Sequence, residues 1–398
     1  MFRHIPIADL KKGLYVIDQH KGQSLNPPLY SVEGYILSDE EPEALARAGF
    51  QNAWIDDERT VIPPDNTLSE KDLIDLTDTD HPLHASVPYL EEYERASRLY
   101  AKSLEVAKEI TARIETHTDI ALDETRELFT DMLSSLTRNY NALCSLAKLK
   151  NKDDYTFTHC INVAVFAVTL GKQLGVKNEF LIELGMAGFF HDIGKIFVPS
   201  EILNCPGRLN AIQFNKIKEH PDLGRRYLNH YPNLPPLVCQ GTRDHHERYT
   251  GKGYPAGKRG EEISLAGRLL AVVDVYDAIS SKRCYKEAIT PAETLAIMYQ
   301  SREDDFSPGF VEAFISVLGI YPAGSLVRLS NKYYAVVVEQ NESAPLRPKV
   351  VLLIDAFGAR LDHPKLVDLM IHVNLSIHGP VLQIPVDIDV EEAIKYAH

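Results

Sequence analysis

Histidines and aspartates recur along the middle of this 398-residue chain: His159, the pair His191-Asp192, His220, the pair His245-His246, and Asp274. Asp192 lies in GFFHDIGKI and Asp274 in LLAVVDVYDA, so both carboxylates interrupt apolar stretches where an unpaired charge is costly to bury. A compensating cation is called for. Imidazoles and carboxylates brought together suit divalent ions such as iron or manganese, with nickel also accepted, and a carboxylate is able to bridge two of them. Two metals about 3.5–4 Å apart lower the pKa of a bridging water, orient it in line with phosphorus and neutralise charge developing on phosphate oxygens. Phosphoester hydrolysis is the natural reaction. Each signal alone is weaker, since a single helical His such as His159 or His220 is more often a core or surface residue than a ligand, and His-Asp or His-His pairs also serve structure. The case rests on their order within one helical segment.

Helices must position these residues. Tyr93, Ala96, Tyr100, Leu104, Ala107, Ile110 and Ile114 recur every three or four residues, which predicts a long amphipathic helix over about 89–117. Its stripe suits the chain's own core, or pairing with a second copy as a homodimer. Helical periodicity continues to about Leu318, broken by Pro- and Gly-rich loops at 204–210, 231–236 and 249–260. Ahead of this, short strands at Ile5–Ile7, Leu14–Ile17, Val32–Ile36 and Asn52–Ile55 and a helix near Glu41–Ala48 make a small α+β module. After Tyr321-Pro322, the β-type runs Ser325–Leu329, Tyr333–Val338 and Val350–Ile354 follow, the last two joined by a polar NESAPLRPK loop that predicts a hairpin. The expected architecture is therefore mainly α: an α+β module at 1–62, an acidic linker at 63–87, a helical domain at 88–321 and a β-rich appendage at 322–398.

Composition narrows the partners. The formal charge of −14, from 42 basic and 56 acidic residues, argues against a broad grip on a nucleic-acid polymer, which needs clustered Lys and Arg. A hydrophobic share of 44% with 25% charged residues is that of a folding globular chain. With no apolar run near the ~20 residues of a membrane span and no signal-like N-terminus, a cytoplasmic location without membrane attachment is expected. Five cysteines without CxxC spacing read as reduced thiols.

The order His159, His191-Asp192 and Asp274 resembles the HD phosphohydrolase superfamily, and His220 with DHHERYTGKGYP at 244–255 resembles the HD-GYP family within it. The resemblance covers about residues 135–320 and implies a helical domain hydrolysing cyclic di-GMP to pGpG or GMP at a binuclear site. It further implies that His159, His191, Asp192 and Asp274 hold one metal, while Asp192 bridges to a second held by His220, His245 and His246, with a bridging hydroxide as nucleophile. Lys195 is implied as a contact to the scissile phosphate, and Tyr254, Arg283 and Lys286 as substrate contacts, supplying locally the positive charge that the whole chain lacks. Glu247 and Arg248 are expected to be architectural.

Three positions depart from the family pattern. Tyr155 stands four residues before His159, where some members place a Glu that binds a third metal, so two metals are expected. Thr250 replaces the Asp of DGxGYP, which implies altered loop hydrogen bonding. Cys284 stands where the family usually has Pro, beside Arg283 and Lys286. The N-terminal HIPIADLKKGLYVID and GFQNAWIDDERT are similar to a small uncharacterised domain often found ahead of HD-GYP domains. Two other readings stay open: a cyclic-dinucleotide sensor or module docking diguanylate cyclase (GGDEF) domains with little catalysis, and an HD phosphohydrolase of another nucleotide.

Overall fold

The structure is a computed structural model, and it describes residues 2–10, 14–16, 29–30, 34–35, 41–47, 51–56, 74, 83–116, 118–149, 155–203, 205, 207, 209–281, 289–341 and 343–397. Most of the acidic stretch expected as a linker, together with Arg283, Cys284 and Lys286, lies outside the described residues. The chain divides into two compact units, residues 1–69 with 226–232 and residues 70–225 with 233–398.

In the first unit the short strands β1 (Phe2–Pro6), β2 (Tyr15–Val16), β3 (Leu29–Tyr30) and β4 (Gly34–Tyr35) and the helix α1 (Glu41–Arg47) precede β5 (Asn52–Asp56). The sheet order is β1-β5-β2-β4, antiparallel, with β3 pairing β5 in parallel. Ile7, Leu10, Val16, Ala53 and Ile55 form its small core.

The second unit is mainly helical. Its longer helices are α2 (Tyr89–Glu115), α3 (Leu122–Leu149), α4 (Tyr155–Gln173) and α5 (Asn178–Phe190). There follow α6 (Ala211–Ile217), α7 (His220–Leu228), α8 (Pro236–Asp244), α9 (Leu265–Ser280), α10 (Pro291–Gln300) and α11 (Phe310–Leu318). The predicted apolar stripe of α2 is buried at Tyr93, Ala96, Tyr100, Ala107, Ile110 and Ile114, against α3 and α4 of the same chain. Asn139 breaks α3 with an extended backbone (φ −160°, ψ 98°), a kink that sequence reading did not foresee. Its side-chain oxygen accepts from Asn141 N at 3.1 Å, capping the second half of the helix, while the Arg138 carbonyl freed by the break accepts from Ser86 N and Val87 N. No helix among the described residues is long and apolar enough to cross a membrane.

Beyond α11 the chain forms a second antiparallel sheet of β6 (Leu326–Leu329), β7 (Tyr334–Glu339), β8 (Lys349–Ile354), β9 (Arg360–Asp368) and β10 (Ile377–Pro380), in the order β10-β6-β7-β8-β9. The expected hairpin is β7–β8, with Val336 opposite Val351. Strands β9 and β10 and the closing helix α12 (Val390–Lys395) were not foreseen. The residues of β7 and β8 are buried on both faces because α3 contacts β7 and α12 contacts β8, which is why their sequences run continuously apolar rather than alternating.

Candidate metal centre

The helix α4 presents His159 to the end of α5, where His191 closes the helix and Asp192 follows. The two helices meet backbone to backbone: a Cβ on Gly188 would lie 2.8 Å from Ala164 Cα, so only glycine allows this approach. Beyond Asp192 the chain turns through a 3-10 segment, Ile193–Phe197, against the start of α7. A Cβ on Gly194 would sit 1.9 Å from the His220 carbonyl oxygen, so the glycine of HDIGK is what brings Asp192 to His220. His245 and His246 follow the end of α8, and Asp274 sits on α9.

All seven residues singled out in the sequence come together. His159 Nε2 lies 3.2 Å from Asp274 Oδ1 and 3.7 Å from Asp192 Oδ2, and His191 Nε2 lies 3.3 Å from Asp192 Oδ2 and 3.9 Å from Asp274 Oδ1. On the other side of Asp192, His220 Nε2 is 3.2 Å and His245 Nε2 3.9 Å from Oδ1, and His246 Nδ1 is 3.9 Å from Asp274 Oδ2. The donor atoms fall into two groups of ion-holding size, His159 with His191 and Asp192, and Asp192 with His220, His245 and His246. Asp192 belongs to both, one carboxylate oxygen toward each.

Hydrogen bonds orient the rings. The Nδ1–H groups of His191, His220 and His245 each donate at 2.7 Å to a backbone carbonyl three residues earlier, Gly188, Ile217 and Thr242. A carbonyl only accepts, so these rings carry the proton on Nδ1 and turn the Nε2 lone pair inward. His159 uses a carboxylate instead: its Nδ1 lies 2.8 Å from Asp277 Oδ2, while Asp277 Oδ1 accepts from Asn162 Nδ2 and Asn162 Oδ1 from the Tyr100 hydroxyl. Sequence reasoning missed Asp277, Asn162 and Tyr100. The signal for Asp277 was present, as a second carboxylate one helical turn after Asp274 in an otherwise apolar helix, where i and i+3 share a face.

The electrostatics fit a cation. Among the described residues, the buried His191 Nε2 and Asp192 Oδ1 have no hydrogen-bond partner. Burial opposes ionisation of Asp192, but the neighbouring His191 and Lys195 outweigh it and hold the carboxyl well below the usual range. For Asp274 burial is likewise overcome, chiefly by His159. Burial and the neighbouring imidazoles push His245 far down, and burial takes His246 to about 3, so both are neutral and able to ligate. His159 runs the other way, to about 9, because Asp274 and Asp277 overcome its burial. His159 must release its Nε2 proton to join the other rings, and neutral imidazoles with ionised carboxylates are then the donor set of a divalent-metal site.

The surrounding residues fall where their chemistry directs them. Lys195 Nζ pairs with Asp192 Oδ2 at 2.5 Å rather than standing apart from the carboxylates. The Tyr254 ring stacks on His246 with centroids 4.7 Å apart. Glu247, fully buried, accepts the backbone N–H groups of Ala256, Gly257 and Lys258, and Asp244 accepts Lys258 Nζ and Ser264 N, so the two acids pin the loop that carries Tyr254. Arg248 Nε lies 3.8 Å from Asp305. Thr250 donates its hydroxyl to the Asp304 carbonyl at 2.8 Å, a bond that an Asp side chain, being an acceptor, would not make. Tyr155 opens α4, but its side chain is outside the described residues.

Comparison with known proteins gives three matches along the chain, and the boundary between the first two falls within α3 rather than between the compact units. Residues 127–308 match the family described as HD domain, residues 326–383 the KOW domain associated with HD domain, and residues 2–125 a domain of unknown function (DUF3391). The chain is 35% identical over 360 residues to the cyclic di-GMP phosphodiesterase PA4108 of Pseudomonas aeruginosa, covering 89% of this chain and 86% of that protein. It is 36% identical over 200 residues to the cyclic di-GMP phosphodiesterase response regulator RpfG of Xanthomonas campestris, covering 49% of this chain and 52% of that one. A third relative is the 3'3'-cGAMP-specific phosphodiesterase 1 of Vibrio cholerae, 32% identical over 190 residues, with 48% and 41% covered.

Proposed function

The chain belongs to the HD-GYP family of HD-domain phosphohydrolases, and from that membership we propose that it is a metal-dependent cyclic di-GMP phosphodiesterase that opens the ring to pGpG and onward to GMP. The observation that carries the reading is the pair of donor groups sharing Asp192. In it, His159, His191, Asp192 and Asp274 would hold one divalent ion and Asp192, His220, His245 and His246 a second, with iron or manganese favoured by the mixed imidazole and carboxylate set and nickel also suited. When bound, such ions lower the pKa of a water and neutralise charge on the phosphate oxygens.

The protein's own groups do the rest. The Gly188, Ile217 and Thr242 carbonyls hold protons on the outer nitrogens of His191, His220 and His245, so their inner lone pairs face the centre before any ligand arrives, while the Asp277 carboxylate orients His159, which releases its Nε2 proton on ligating. Lys195, beside Asp192, places an ammonium where the scissile phosphate would enter, and Tyr254 presents a hydroxyl and a flat face at the mouth. Arg283 and Lys286 are proposed as further phosphate contacts by position in the family pattern, Arg283 as a fork and Lys286 as a point charge.

The test is turnover by anaerobically purified protein supplied with iron or manganese, with metal counted per chain and products of cyclic di-GMP and 3'3'-cGAMP separated by anion exchange. Conversion of cyclic di-GMP by wild type but not by Asp192→Ala, with about two metals per chain, is the expected result. Full metal loading with no turnover of cyclic di-GMP refutes the reading and favours a sensor or a module docking GGDEF domains. Preference for 3'3'-cGAMP reassigns the substrate.

A further inference from the structure

We propose that Lys218 and Phe214 form a subsite beside the metal centre for the part of a cyclic dinucleotide that lies away from the reacting phosphate, Lys218 meeting the second phosphate and Phe214 a base. The proposal rests on the phosphodiesterase reading above. It starts from α6, whose N-terminus is fixed by a reciprocal cap between Asn210 and Gln213 and whose C-cap, Lys218, stands two residues before His220, the first residue of α7. Lys218 Nζ lies 5.5 Å from the centroid of the Tyr254 ring and 4.8 Å from that of Phe214. Since Tyr254 in turn stacks on His246, the four side chains form a continuous path from the proposed ligands outward: imidazole, phenol, ammonium, phenyl.

Charge sets Lys218 apart from the paired lysines nearby, leaving only the exposed loop residue Lys252 similarly unpaired among the described residues close to Tyr254. Lys195 is paired with Asp192, Lys216 with Glu219 and Lys258 with Asp244, whereas among the described residues the Lys218 ammonium has no carboxylate or hydrogen-bond partner. In a chain with an excess of acidic residues, an ammonium resting only on aromatic faces stays available to an incoming anion. Phe214, 46% exposed, offers one face to Lys218 and leaves area for stacking. Aromatic faces take any base, and lysine takes phosphate as a point charge, so the pair suits a purine nucleotide unit. A cyclic dinucleotide has two phosphodiesters, and with one at the metals the other needs a cation at a distance from them.

The experiment compares metal-loaded wild type, Lys218→Met, Lys218→Arg and Phe214→Ala on cyclic di-GMP and on bis(p-nitrophenyl) phosphate, which has one phosphate and no purine. Loss of one charge-assisted contact lowers the ratio of kcat/KM for cyclic di-GMP to that for the small diester about tenfold in Lys218→Met, with the loss in KM rather than kcat. Lys218→Arg should restore most of the ratio, and Phe214→Ala should lower it further for a purine substrate. Equal losses on both substrates would mean that Lys218 acts through the neighbouring His220 and would overturn the subsite, as would an unchanged ratio. A wild type that cleaves the small diester but not cyclic di-GMP refutes the phosphodiesterase reading itself, and the subsite falls with it.

Discussion

Asp277 is the residue whose replacement most directly tests how the centre is built. Its carboxylate accepts from His159 Nδ1 at 2.8 Å and from Asn162 Nδ2 at 3.0 Å, and it is fully buried. In Asp277→Asn the amide oxygen can still accept from His159 if Asn162 turns its own amide, so shape is kept while the negative charge is lost. Removal of a hydrogen-bonded partner behind a ligating imidazole lowers metal affinity by about 10–100-fold, or about 1.4–2.7 kcal/mol. The same figure follows from the bond itself, since a hydrogen bond to a charged group contributes about 1.5–3 kcal/mol. Asp277→Ala removes both charge and acceptor and should lie at the weaker-binding end of that range. The assay is competition for manganese against a chelator of known affinity, with metal counted per chain and thermal unfolding of the metal-free variants followed in parallel. Metal affinity within about twofold of wild type in both variants, with both still folded, would falsify the role assigned to Asp277.

Further outcomes are expected at three positions. Glu92, fully buried, accepts from Ser135 and from Arg138 through two nitrogens, so Glu92→Ala strands a guanidinium; because Arg138 is 36% exposed and screened, the loss is about 2 kcal/mol rather than the 3–5 of a fully buried pair, measured by urea unfolding. Burial would raise the Glu92 carboxyl, but Arg138 and Ser135 hold it below its ordinary value, so its contribution is complete above about pH 5 and fades as pH falls through the folded pKa; Glu92→Gln should flatten that acid limb. Glu247→Ala releases three backbone N–H groups and should raise KM for cyclic di-GMP about tenfold while metal per chain is retained; loss of metal instead would place Glu247 in the centre's own support. Gly194→Ala puts a methyl against the His220 carbonyl, and the expected result is a chain that loses metal or fails to fold, read by metal count and melting.

The sequence by itself determined the periodic and punctuated features. The apolar stripe of α2, the β7–β8 hairpin and the strands near Tyr15–Val16 and Asn52–Asp56 follow from local spacing, because each pattern matches the geometry of one element, whereas β3 was not foreseen and the strand expected at Ile5–Ile7 lies earlier, at Phe2–Pro6. The residue types of the centre were legible for the same reason, as charged and ligating groups placed in apolar helices. Tertiary structure decided everything that depends on which faces meet. His159 and Asp277 touch across 118 positions, Glu92 and Arg138 across 46, and no local periodicity specifies such pairs. That Asp192 turns one oxygen to each donor group depends on Gly188 and Gly194 letting three backbones approach, and spacing alone left the bridging carboxylate open. Lys195, which the sequence offered as a phosphate contact, sits on Asp192 because the 3-10 turn folds it back over the carboxylate. Periodicity reports the environment a side chain must enter, and only packing chooses its partner there.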